Sequence, residues 1–270
     1  MGWRRLAAPV ARPGARLGCS TDASGPARRK SGLIHEPYCH ERLHREVTMS
    51  LTAEPTVISG KTRVLGGITV IDTPLITRAM EYARIHSEPY LFNHAVRSWL
   101  FAVRLGQLQG VSHDPEVVAV GTLLHDLRLT NSFTGPKRFE IEGADAARAF
   151  AREQGLDQRR VELIWDSVAL NSTPSIGLHK GVEVALCTGG IGVEFGFQYD
   201  RIPPNEMQSI LAAFPRLDMK RGFADSVCRI VKAKPETTYD NFAADFGERF
   251  VPGYKRPSTV DFLMNAPFEE

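Results

Sequence analysis

The residues best suited to chemistry are His125 and Asp126, adjacent at the end of the apolar run from Val117 to Leu124. A carboxylate at the end of a buried helix is costly unless something positive compensates it. A divalent cation does so naturally, because neutral imidazole and carboxylate are both good metal ligands. An exposed last turn is the other reading, with Asp126 solvated and His125 favoured by the helix dipole. The spacing alone leaves both open. His94 adds to the metal reading. It stands near the start of an upstream helical segment, FNHAVRSWLFAVRLG. If that helix packs antiparallel to the one ending at His125, the three side chains meet. A single histidine on an apolar face otherwise reads as a packed core residue.

These side chains need helices to carry them, and the patterning supplies helices. Asp72 or Thr73 can cap a helix with Pro74 at its first position, followed by Leu75, Ile76, Met80 and Ala83 at helical spacing. Residues 92–108 place Val96, Leu100, Val103 and Leu108 on one face. Asp114-Pro115 starts the helix that runs into His125-Asp126. Further helices are expected over about 142–153, 157–170, 181–195, 205–214, 220–231 and 239–250. The last of these would bury Tyr239, Phe242 and Phe246. A short β-rich stretch covers residues 57–70, and strand alternation is scarce beyond it. The fold class is mostly α.

Composition narrows the function. The chain has 270 residues, 43% hydrophobic and 24% charged, ordinary values for a globular protein. No apolar stretch approaches the roughly 18 residues of a membrane span, so no membrane partner is expected. The formal charge is +2, yet residues 1–30 hold six Arg and one Lys against the single Asp22. The remainder is therefore mildly acidic, which gives no footprint for nucleic acid. Cys19, Cys39, Cys187 and Cys228 form no CxxC pair, which fits a reducing, cytoplasmic setting. Residues 1–48 lack a periodic apolar face. They read as an Arg-rich organelle transit peptide, a solvated basic tail, or a non-native extension ahead of a start at Met49, and the last is favoured. Residues 49–270 are expected to form one domain.

Five ordered segments carry a resemblance. NHAVRSW, LLHDLRLT, RFEIEGADAARAF, IWDSVALNSTPSI and VEVALCTGGIGVEFGF, followed by KPETTYDNFAADFGERFVPGY, resemble the HD-domain metal-dependent hydrolases, in their cyanamide hydratase-like branch. The match spans about residues 72–254. It implies a helical HD-domain bundle with a metal site between helices, held by His94, His125, Asp126 and a late acid that aligns with Glu194. Glu stands there in place of the family's Asp. Two further departures follow: Asn171 where relatives often have His, and Arg128 where Gly is common.

The resemblance implies one divalent metal ion. Two imidazoles with carboxylates suit zinc, and the same set serves iron or manganese. It also implies a hydratase or hydrolase for a small polar, nitrile-like molecule, with HD-type phosphohydrolase and a catalytically silent binding protein as the alternatives. Asp126, Glu140 and Asn171 are the catalytic candidates, and Arg128 and Arg138 the substrate-binding ones. Glu140, at the entrance to a helix, also suits the helix N-terminus. A homo-oligomer is compatible with the sequence. Gly189, Gly190 and Gly192 lack the strand–GxGxxG–helix setting of a dinucleotide site, and read as close helix packing.

Overall fold

Two glycines set the first turn. β1 (Thr62–Leu65) and β2 (Ile68–Ile71) pair antiparallel, with Leu65 opposite Ile68. Between them Gly66 and Gly67 take φ values of 55° and 82°, left-handed backbone that glycine adopts without a Cβ clash. This computed structural model describes residues 60–130 and 135–268, all within a unit spanning Thr52–Glu270. The expectation for residues 1–48 lies outside the described residues.

After the hairpin the architecture is mostly helical, as the patterning predicts. α1 (Pro74–His86) starts at Thr73, whose hydroxyl accepts from the Ile76 amide at 3.3 Å, with Pro74 next in line. α2 (Pro89–Gln109) ends at Gly110 with φ 64°. α3 (Pro115–Leu123) is capped by Asp114, which accepts from Glu116 and Val117 at 3.0 and 3.1 Å. α4 (Phe139–Glu153), α5 (Gln158–Ala169), the short α6 (Pro174–Gly177) and α7 (Val182–Glu194) follow. α8 (Pro204–Ala213), α9 (Met219–Ala233), α10 (Ala243–Phe250) and α11 (Thr259–Met264) complete the order. Among the described residues no helix is long and apolar enough to cross a membrane.

α2 is the central helix. It is buried nearly all round from Leu91 to Ala102 and packs on α7 and α3, while α4 packs on α5. The approach of α7 to α2 depends on Gly190, where a Cβ would collide with the Ser98 carbonyl oxygen and Ala102. Gly189 and Gly192 have ordinary contact distances, 3.4 Å to Leu105 and to Phe197. Of the three glycines expected to permit close packing, Gly190 is the one that packing requires. A large apolar core surrounds α2, α3, α5 and α7. A second cluster joins Leu91, Leu129 and Phe139 to Phe223, Val227 and Val231 of α9.

Two sequence expectations shift. The helix predicted over 239–250 begins only at Ala243, because the Asn241 side chain accepts from the Ala243 amide at 3.0 Å and forms a turn there. Tyr239 therefore lies outside the helix and is 38% exposed, while Phe242 and Phe246 still pack inward. α3 stops at Leu123, so His125-Asp126 occupies the turn beyond it, leading into a 3-10 turn at Leu127–Leu129.

Candidate metal centre

The local sequence aims each ligand. His94 lies in the second turn of α2, on a segment whose every neighbour from Ala95 to Ala102 is buried, so its ring faces the interior. At the end of α3 the Leu124 amide still bonds Val120, after which Leu127 and Leu129 close back on Leu124 and Asp126. That tightening turns both His125 and Asp126 inward, to 1% and 5% exposure. The exposed-turn reading of this pair does not hold.

His94, His125 and Asp126 form a buried group able to hold a metal ion. The Nε2 atoms of the two histidines stand 3.1 Å apart. Asp126 Oδ2 lies 3.3 Å from His94 Nε2 and 3.1 Å from His125 Nε2. Nitrogen and oxygen ligands about 2.0–2.1 Å from a tetrahedral ion stand about 3.3 Å from one another. The three separations fit.

The protons also fit. His125 Nδ1 is 2.7 Å from the Thr122 carbonyl oxygen, which can only accept, so Nδ1 carries the hydrogen and Nε2 is a lone pair. His94 Nδ1 faces Glu194 Oε2 at 3.3 Å, which fixes the same tautomer. Asp126 Oδ2 is buried and accepts no hydrogen bond. With both rings neutral, three lone pairs converge on one point, an arrangement that only a cation stabilises. In metal-free protein the demand falls on protons. Burial opposes a charge on His94, but its contacts with Asp126 and Glu194 outweigh burial and raise its pKa. Burial likewise opposes the Asp126 charge, and the facing His125 and His94 hold its carboxyl below the ordinary range.

Glu194, aligned above with a fourth ligand, ends α7 on the opposite edge of the His94 ring. Arg97 grips it in a fork, Nε to Oε1 at 2.7 Å and Nη2 to Oε2 at 2.8 Å, and Arg216 Nη1 adds a bond to Oε2 at 2.9 Å. Burial would raise its pKa, but Arg97 and His94 bring it down to about 2. Arg97 also donates from Nη1 to the Phe214 and Pro215 carbonyls at 2.9 and 3.2 Å, tying the α8–α9 connection to the site. Phe195 and Phe223 stand edge-on to His94 at 6.3 and 6.2 Å between centroids.

The remaining candidates form a second tier. Glu140, fully buried in the first turn of α4, accepts from Arg138 (Nε to Oε2 3.1 Å, Nη2 to Oε1 2.9 Å) and from Ser172 at 2.7 Å. Arg138 also bonds Asp240 at 2.8 Å, so its guanidinium is shared between two carboxylates. The Asn171 amide donates to the Val168 carbonyl at 2.7 Å and more loosely to His125 O at 3.4 Å, so it braces the backbone of the ligand turn. Arg128 lines a separate cavity of about 240 Å3 with Gly135, Lys137, Glu142 and Asp145, in which no residue of the triad takes part.

Arg97 and Arg216 are site residues that sequence reading missed. Arg97 left a signal, a cation three residues after His94 inside an otherwise apolar face. Arg216 left none, since it follows an ordinary helix end. No family model matches the chain, and no curated protein matches it.

Proposed function

We propose that this chain is a metal-dependent hydratase or hydrolase for a small polar, nitrile-like or C–N-containing molecule, built on an HD-type helical fold. The observation that carries the reading is the convergence of three buried ligand atoms at 3.1–3.3 Å with both histidine tautomers set to offer lone pairs. Zinc suits this donor set best, and iron or manganese fits it too. When bound, such an ion supplies a Lewis acid that lowers the pKa of water and polarises the substrate.

The chain's own residues do the rest. His94 and His125 hold neutral Nε2 atoms toward the ion, and Asp126 contributes the negative charge. Phe195 and Phe223 keep water from the face of His94. Glu140 is the proposed proton carrier. Its Oε2 takes one hydrogen bond, from Arg138, which leaves a lone pair for a substrate proton. Glu194 is proposed as the positioning residue of His94, in place of the fourth ligand that the resemblance implies. Its two oxygens are already committed to Arg97 and Arg216.

Elemental analysis of protein purified without added metal is expected to return about one divalent ion per chain. His125→Ala and Asp126→Ala should each lose it, and full occupancy in both variants removes the site. On metal-loaded parent, amide formation from a nitrile panel supports the hydratase reading. Phosphate release from phosphoesters without amide formation replaces it with a phosphohydrolase.

A further inference from the structure

Glu194 lines a cavity of about 610 Å3 to which no triad side chain contributes. That is within the range of small-molecule sites, about 300–1,000 Å3. Its walls are largely apolar, with the rings of Phe195, Phe223 and Phe246 along one side. Phe195 and Phe223 pack edge to face at 5.5 Å, and Phe223 and Phe246 lie 6.0 Å apart, so the wall is a fixed surface. The charge lining it is one-sided. Glu194 is its one acid, and Arg97 already pairs that carboxylate from behind. Against it stand Arg216 and Lys220.

Both cations have capacity to spare. Glu194 is the hydrogen-bond partner of Arg216 among the described residues, met through Nη1 alone, so Nε and Nη2 are left over. Lys220 is exposed and has no hydrogen bond or ion pair among the described residues. Lys220 also sits in the first turn of α9, whose N-cap residue Asp218 makes no side-chain cap hydrogen bond.

We propose that this cavity binds a small amphipathic carboxylate, its apolar or aromatic body against the phenylalanine wall and its carboxylate on Arg216 and Lys220. A planar guanidinium beside an ammonium matches a carboxylate in charge and geometry, and an apolar wall rewards a body without further polar groups. The site does not depend on a metal, since none of the triad side chains lines it. It touches the metal centre through Arg216 to Glu194 to His94, and through Phe195 and Phe223, which also stand against His94.

The test uses the full chain, once with chelator and once metal-loaded, titrated calorimetrically with 3-phenylpropanoate and with the neutral 3-phenylpropanamide. The carboxylate is expected to bind in both preparations, about tenfold or more tighter than the amide. Lys220→Gln should weaken the carboxylate severalfold and leave the amide unchanged. Leu211→Trp, which fills the cavity, should weaken both. Equal affinity for the two probes, no binding of either, or a carboxylate affinity untouched by Lys220→Gln overturns the proposal. Because the chelated protein is included, that failure is distinct from failure of the metal reading.

Discussion

Glu194 ends α7 among three partners, His94, Arg97 and Arg216, and the division of its bonds decides what its substitution does. A ligand and a positioning residue make different demands. A ligand needs a free charged oxygen, whereas a positioning residue needs an acceptor at the His94 Nδ1 edge. Glu194→Gln keeps an acceptor but removes the charge that two guanidiniums share, one of them on a fully buried side chain. Breaking such a pair typically costs about 3–5 kcal/mol. We expect a large fall in melting temperature, with metal affinity reduced about 10–100-fold, the usual effect of losing an outer partner of a ligand histidine. The stoichiometry should remain one ion per chain. Glu194→Asp should keep the metal but loosen the Arg97 fork, since its carboxylate is one methylene shorter. Chelator competition with both variants checks this. Complete loss of metal in the Gln variant, matching that of His125→Ala, would make Glu194 a ligand after all.

The helices that hold these groups were readable in unequal measure. α2 and α7 follow from apolar patterning and α3 also from Asp114-Pro115 at its start, while the adjacent His125-Asp126 at the end of an apolar run left a metal site and an exposed turn both open. Tertiary partners were not readable. Arg97 joins Glu194 nearly a hundred residues later, and Arg216 reaches it from the α8–α9 connection. Nothing in local spacing encodes such meetings. The late start of α10 has a local origin instead, since Asn241 prefers its own turn to the helix that the phenylalanines suggest. Gly190 is an intermediate case, visible as a glycine but not as the contact point of two helices. Gly190→Ala places a Cβ against the Ser98 backbone and Ala102, which cannot retreat as a flexible side chain would. It should cost about 1–3 kcal/mol through overpacking. It should also weaken metal binding, because α7 carries Glu194 away from His94. Gly110→Ala is the control: with φ at 64° it is strained by about 1–2 kcal/mol. It sits at the other end of α2 and should leave metal affinity alone. Equal metal affinity in both variants would separate the α2–α7 packing from the site.

Across the molecule, the triad lies where the two apolar clusters meet. Its histidines come from α2 and from the turn after α3, and Phe223 of the second cluster stands against His94. An ion held there ties these parts together and stabilises the fold by mass action, about 2.7 kcal/mol at a hundredfold excess over its dissociation constant. The pH dependence of that effect has a definite sign. In metal-free protein His94 has a raised pKa, so protonation contributes stability that is fully present below the unfolded value near 6.5 and is lost as pH rises through the higher folded value. Asp126 and Glu194 have lowered values, so their contribution stays constant over this window and is lost only in acid, as pH falls through the folded values. Metal binding runs the other way, because it requires the His94 imidazole neutral and strengthens as that proton leaves. The two trends add. The melting temperature with metal minus that with chelator should therefore widen steadily from pH 6 to pH 8, and His94→Gln should flatten the slope. A gap that stays constant or narrows over that range, in protein that carries its full complement of metal, would mean that the ion binds somewhere other than the imidazoles of His94 and His125.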